Sequence, residues 1–233
     1  YNFTGPQGFG IANMADSLYA VRELVYKQKK VSMEEYKEAL AWNYDKGLDQ
    51  QSIADMAEMT LKDMQAQGIA VNEKTAAEVL STFMKLKPTE QQLQRFTEIH
   101  HMIDEIPKFG NAIDDVDYFA RDVAYTYTKP LQKYTNPRGG HFQAGLYPVS
   151  ANVPLGGQTG ATPDGRYAHT PVADGVSPSA GKDVNGPTAA ATSVSRLDHF
   201  IVSNGTLFNQ KFHPSALAGR EGLEKFVALI QGF

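Results

Sequence analysis

A change of texture at Asn136 limits what this chain can fold into more than any other feature. Before it, apolar residues recur every three and four positions; after it, Gly and Pro interrupt the pattern, and residues 154–187 hold no helical period. A stretch that long without structure of its own is uncommon in a compact domain unless it packs on a larger scaffold or serves a site. The same half offers strand candidates at Gly145 to Val153, where Pro148 removes a backbone donor, and at Thr206 to Phe212. A pair of strands does not make a stable sheet by itself. The reading is therefore of a helical part over residues 1–135 and a strand-and-loop part over 136–233. The second part is expected to complete a sheet or barrel whose other strands lie upstream.

In the helical part, Ile11, Met14, Leu18, Val21 and Val25 fall on one stripe. Ser32-Met-Glu-Glu35 and Thr89-Glu-Gln-Gln92 are capping boxes, which start helices running through Trp42 and up to Pro107. Further helices are predicted from Ile53 to Gln67, stopped by Gly68, and from about Asn72 to Leu86. Asp114 to Lys129 is predicted helical and stopped by Pro130. Beyond the break, Thr188 to His199 and Glu221 to Ile230 are the helix candidates.

Composition excludes several functions. With 233 residues there is room for one or two domains. A net charge of −4 with no Lys/Arg stripe argues against nucleic acid. Cysteine is absent, so no disulfide, thiolate metal site or cysteine nucleophile can form within the chain. No apolar run approaches the ~20 residues that span a bilayer. The termini, Tyr1-Asn-Phe-Thr-Gly-Pro6 and Leu229-Ile-Gln-Gly-Phe233, read as cut ends of a longer polypeptide.

Local motifs point to structure more than to chemistry. Gly5 to Gly10 leads into a helix, but Asn13 stands where a phosphate-binding fingerprint needs glycine and no strand precedes it, so it reads as a packed turn. His100 and His101 point about 100° apart on a helix and read as a surface pair. Asp114, Asp115 and Asp117 suit the positive end of a helix dipole better than a calcium loop. Thr162-Pro-Asp-Gly-Arg166 is a turn, with Arg166 bracing loop carbonyls or, in the rarer case, holding an anion.

Several blocks, in order, resemble one family over nearly the whole chain. They are Tyr1 to Ala12, Pro107-Lys-Phe-Gly-Asn111, Asn136-Pro-Arg-Gly-Gly140, Gly145 to Gly156, and Gly160 to Arg166. Ala173 to Pro178, Gly186-Pro-Thr188 and Ser203 to Asn209 complete the set. Together they resemble the carboxy-terminal part of the glycyl radical enzymes, the pyruvate formate-lyase superfamily, on its glycerol dehydratase-like branch. The resemblance implies an α/β fold, part of a ten-stranded barrel of two antiparallel half-barrels wrapped by helices. It also implies two finger loops, one with a catalytic cysteine and one with the glycine that carries the radical. The chain would begin after the first loop and end before the Arg-Val-x-Gly-Tyr motif of the second. No catalytic residue is then assigned here, no bound cofactor or metal is expected, and the radical glycine lies outside the chain.

What the resemblance does assign is cavity wall. The strand matching Gly145 to Val153 borders the substrate cavity, and alternation puts Tyr147, Val149 and Ala151 on one face. Tyr147 and Val149 are the expected substrate-binding residues: an aromatic surface with one hydroxyl, and a dry side. Ordinary barrel core is the other reading of both.

The helices before Pro107, the Val123 to Tyr127 run and the Phe142 to Pro148 block resemble most the members that cleave choline to trimethylamine and acetaldehyde, the choline trimethylamine-lyases. A glycerol or propane-1,2-diol dehydratase is the alternative within the family; a non-catalytic binding or assembly module is the alternative outside it. The implied partners are a small-molecule substrate, a radical S-adenosylmethionine activating enzyme and a second copy in a homodimer, without nucleic acid or membrane. The implied location is an anaerobe's cytoplasm, or a bacterial microcompartment within it.

Overall fold

The computed structural model describes residues 2–48, 50–85, 87–210, 212 and 218–232. Helix α1, Ile11–Val21, is entered through Gly10 at φ 71° and continues as a π-helical turn, Arg22–Lys27. Its buried face differs from the expected stripe. Ala12, Ala15, Tyr19 and Ala20 face the core, whereas Met14 and Leu18 are 55% and 46% exposed. α1 packs on α6, Asp114–Leu131, whose buried residues include Ala120 and Ala124. Small side chains on both helices let the backbones come near, and the larger residues are left outside.

Both capping boxes form. At α2, Met33–Ala41, Ser32 Oγ accepts from the Glu35 amide at 3.1 Å, and Glu35 accepts from the Ser32 amide at 2.8 Å. Thr89 and Gln92 repeat the exchange at α5, Glu90–Glu105. Between these lies a short 3₁₀ turn, Tyr44–Lys46; with α2 it packs on α5 and buries Tyr36, Tyr44, Phe96, Ile99 and Ile103. Helices α3, Gln50–Ala66, and α4, Glu73–Lys85, pack on each other as a hairpin. Gly68 at φ 80° ends α3, and the Ile69 amide reaches back to the Met64 carbonyl at 2.9 Å. Pro130 does not stop α6 as expected but sits in its last turn, one residue before the helix ends.

The second half departs further from expectation. Among the described residues there is no regular strand, so the barrel sheet of the expected fold class is not formed as a ladder. Extended pairing is confined to isolated bridges: Thr4 with Phe142, Gln7 with Gly145 and Leu146 with Thr206, all parallel, and Thr135 with His141, antiparallel. Residues 142–146 are thus the middle of three parallel extended pieces. Their partner on one side is the amino-terminal loop that the sequence presented as a packed turn. The expected strand from Gly145 to Val153 ends early. Pro148 has no amide to donate, Val149 turns left-handed at φ 57°, and the Ala151 amide donates to the Pro148 carbonyl at 2.9 Å. Helix α7, Asn152–Gly157, follows at once. Of the strand expected from Thr206 to Phe212, the described residues pair at Thr206. Helices α8, Pro187–Ser195, and α9, Gly219–Gly232, complete the order.

Side-chain hydrogen bonds fasten the long loop to the helices. The Arg166 guanidinium donates to the carbonyls of Tyr167 at 3.1 Å, Thr170 at 2.6 Å, Thr159 at 3.3 Å and Gly160, the bracing role predicted for it. Asn13 of α1 donates to Asp164 at 2.6 Å and Ser179 at 3.1 Å, and accepts from the Ala173 amide at 2.5 Å. His100 belongs to this seam and is not a surface residue. Its Nε2 lies 2.9 Å from the Gly165 carbonyl, and its ring stacks on Tyr167 at 4.8 Å. His101 is exposed. Of the acids at the start of α6, Asp117 is fully buried, accepting from Ser193 at 2.9 Å and pairing with Arg196; Asp115 accepts from Tyr19 at 2.7 Å. No helix of the described residues is long and apolar enough to cross a membrane.

Candidate functional site

The expected site residues part company in the structure. Tyr147 closes the middle extended piece and is half-buried. Val149, two residues on, lies past the break at Pro148 and is 70% exposed. They do not share a strand face, because alternation ends where the backbone turns left-handed.

Tyr147 has its own surroundings. Its ring lies over Gly145, where a Cβ would come within 2.6 Å of Tyr147 Cε1. Asn204 Nδ2 donates to the Tyr147 hydroxyl at 2.8 Å. Asn204 is placed by backbone pairing: its amide donates to the Ala144 carbonyl at 3.0 Å, and Gly205 accepts from the Leu146 amide at 2.9 Å. Its side chain fits where glycines leave room, since a Cβ on Gly5 would come within 2.2 Å of Nδ2 and one on Gly145 within 3.1 Å. Tyr127 of α6 stands beside this group. Its hydroxyl is buried without a hydrogen-bond partner, and burial first, then the nearby Tyr147 phenol, pushes it above its ordinary value. A phenol that accepts from an amide keeps its own hydrogen to donate. The arrangement can therefore offer one oriented O–H and part of an aromatic face.

A cavity of about 400 Å³ opens beside the start of α7, lined by Asn152, Val153, Asp174, Ser177, Asn209 and Gln210 among others. Asp174 Oδ1 and Gln210 Oε1 are buried there without hydrogen-bond partners. Tyr147 and Val149 are not among its lining residues. Among the described residues no group of three or more His, Cys, Asp or Glu is placed to hold a metal ion.

Deep under the Pro107 to Asn111 loop, Asp16 accepts from the Phe109 amide at 2.8 Å, and Lys108 donates to the Ile103 carbonyl at 2.7 Å. Burial pushes the Asp16 carboxyl up to about 7, opposed by the Phe109 amide and Lys108; burial pushes the Lys108 ammonium down. Both are enclosed in the core; the Asp16 bond seats the loop on α1, and the Lys108 bond ties it to the last turn of α5.

Asn204 and Tyr127 were not legible as site residues. Asn204 sits in an Asn-Gly turn that any loop can carry, and Tyr127 reads as one aromatic of a helix. Their meeting with Tyr147 depends on the parallel pairing of residues far apart in the chain.

Comparison with known proteins gives this geometry its context. The family model for pyruvate formate lyase-like proteins matches residues 1–156, and the glycine radical model matches residues 172–233. A solved structure concerned with 1,2-propanediol dehydration in Roseburia inulinivorans is 57% identical, covering 100% of this chain and 28% of its own, with a TM-score of 0.91. The glycerol-bound B12-independent glycerol dehydratase of Clostridium butyricum is 45% identical over 99% of this chain and 23% of its own, with a TM-score of 0.67. Among curated proteins, the probable dehydratase YbiW of Escherichia coli (strain K12) is 34% identical over 100% of this chain and 24% of its own length. The chain thus spans about a quarter of the length of the relatives it matches.

Proposed function

The chain belongs to the pyruvate formate lyase-like family, and from that premise we propose that the protein carrying it is a glycyl radical dehydratase of a small vicinal diol. One observation carries the reading: 57% identity and a TM-score of 0.91, over all of this chain, to the Roseburia structure concerned with propanediol dehydration. The glycerol dehydratase at 45% identity supports the same reaction type. The carbon–nitrogen lyase of choline expected from the sequence becomes the second reading, favoured by the aromatic face of Tyr147, which suits a quaternary ammonium.

The glycine radical match supports a glycyl radical as cofactor, and that group supplies the hydrogen-abstracting chemistry. This chain, without cysteine, offers no residue for a thiyl radical. Its share is binding and exclusion of water. In this reading Tyr147 gives a hydroxyl hydrogen to a substrate oxygen, and Val149, past the break at Pro148, offers its exposed apolar surface to the wall of the substrate cavity in the complete protein. A dry wall matters, because a carbon radical must be kept from competing hydrogen donors. With the reading go the division into a helical part, 1–135, and a part leading toward the glycyl segment, 136–233, within a ten-stranded barrel. A radical S-adenosylmethionine activating enzyme, a homodimer, and a cytoplasmic or microcompartment location belong to it too.

The test is the complete protein, activated anaerobically and offered propane-1,2-diol, glycerol and choline in parallel. Aldehyde from a diol, with no trimethylamine from choline, is the expected result. Trimethylamine from choline with the diols untouched would replace the first reading with the second.

A further inference from the structure

We infer that Asn204 is a positioning residue, which orients the Tyr147 hydroxyl so that its hydrogen is presented to a substrate oxygen. The inference rests on the reading that Tyr147 lines the substrate cavity.

The geometry is specific. Asn204 Nδ2 donates to the Tyr147 hydroxyl at 2.8 Å across 57 residues of sequence. Its backbone is locked to the same extended piece that carries Tyr147, through the Asn204 amide on Ala144 and the Leu146 amide on Gly205. Its side chain is enclosed by Gly5 on one side and Gly145 on the other, with no room for a Cβ on Gly5. The Tyr147 ring is likewise held over Gly145. Donor and acceptor therefore sit on adjacent parallel pieces and cannot drift apart independently. An amide N–H occupying the phenol oxygen leaves the phenol hydrogen free, and rotation about the C–O bond is then limited by the lone pair already engaged. A diol dehydratase gains from a hydrogen delivered in one direction, since preorganised donors need no rearrangement when charge develops on the departing hydroxyl. Tyr127, whose buried hydroxyl has no hydrogen-bond partner, lies on the α6 side of the group and makes this polar cluster short of partners. Asn204 is what fixes Tyr147 within it.

The experiment uses the activated full-length protein with its diol substrate and four variants: Y147F, N204A, N204D and the double variant Y147F/N204A. Glycyl radical content, read by electron paramagnetic resonance, is measured beside kcat and KM. N204A is expected to lower kcat/KM roughly three- to tenfold, the range of one hydrogen bond. The double variant should be no worse than Y147F, since Asn204 acts through the phenol. N204D is nearly isosteric but accepts instead of donating, so it should draw the phenol hydrogen onto itself and cost as much as Y147F at unchanged radical content. Y147F with wild-type kinetics would overturn the cavity reading and this inference with it. A Y147F loss combined with independent, multiplying effects of N204A, or with wild-type kinetics in N204D, would overturn the positioning role alone.

Discussion

Asp16 lies in α1 with no exposed surface, one carboxylate oxygen on the Phe109 amide and the other buried without a partner. Burial raises its carboxyl to about 7, with Asp164 and Asp117 adding to the rise and Phe109 and Lys108 opposing it. A carboxyl raised on folding holds its proton more tightly in the native state than in the unfolded one. Its contribution to stability is therefore full below about pH 4 and is lost as pH climbs through about 7. D16N keeps the acceptor for Phe109 and removes the titration. Relative to wild type it should gain stability as pH rises from about 4 to about 7, by at most about 1.4 kcal/mol per pH unit, and hold that gain above 7, in urea unfolding of the full protein. A difference that stays flat with pH would mean that Asp16 does not titrate there. At this scale the sequence was partly readable. Arg166 declared its bracing role through a turn motif, because its carbonyl partners at Thr159, Gly160, Tyr167 and Thr170 are neighbours in the chain. Asn204 did not, because its partner is remote.

Helix starts were the most legible elements. A cap is a contract between residues three apart, and Ser32 with Glu35 and Thr89 with Gln92 meet it as read. S32A and T89A should each cost about 1 kcal/mol, seen as a lower urea midpoint with unchanged slope. A loss below about 0.3 kcal/mol would mean that tertiary packing holds those helix starts without their caps. The two ends are also linked, since Arg95 of α5 donates to Glu35 at 3.1 Å and to the Lys30 carbonyl at 2.9 Å. Which face of a helix is buried was less legible. Hydrophobic spacing chose Met14 and Leu18 on α1, but the close partner α6 selected the alanines. The strand after Gly145 ends for a local reason: Pro148 has no amide to pair, and the left-handed Val149 that follows it turns the backbone out of the ladder.

On the scale of the molecule, apolar surface is left open on two sides. Phe9, Met14, Leu18, Val21, Leu155 and Val172 are among the residues lining a groove of about 390 Å³. On α9, Leu223, Phe226, Val227 and Ile230 are all more than 40% exposed. Patches of this kind mark contact surfaces. Expressed as residues 1–233 alone, the chain is expected to bind a hydrophobic dye and to self-associate in sedimentation. A dye-silent monomer with sharp, cooperative unfolding would contradict that. By itself the sequence determined the helices other than α7, the two capping boxes, the brace at Arg166 and the family, because each is written in residues close together or in a fixed order of blocks. Only the tertiary structure decided that the loop from Thr4 to Gly8 pairs with residues 142–146, that Tyr147 and Val149 part, and that Asn204 meets Tyr147. Those are distances between segments more than 50 residues apart, or a backbone turn that overrides alternation, and no local pattern encodes either.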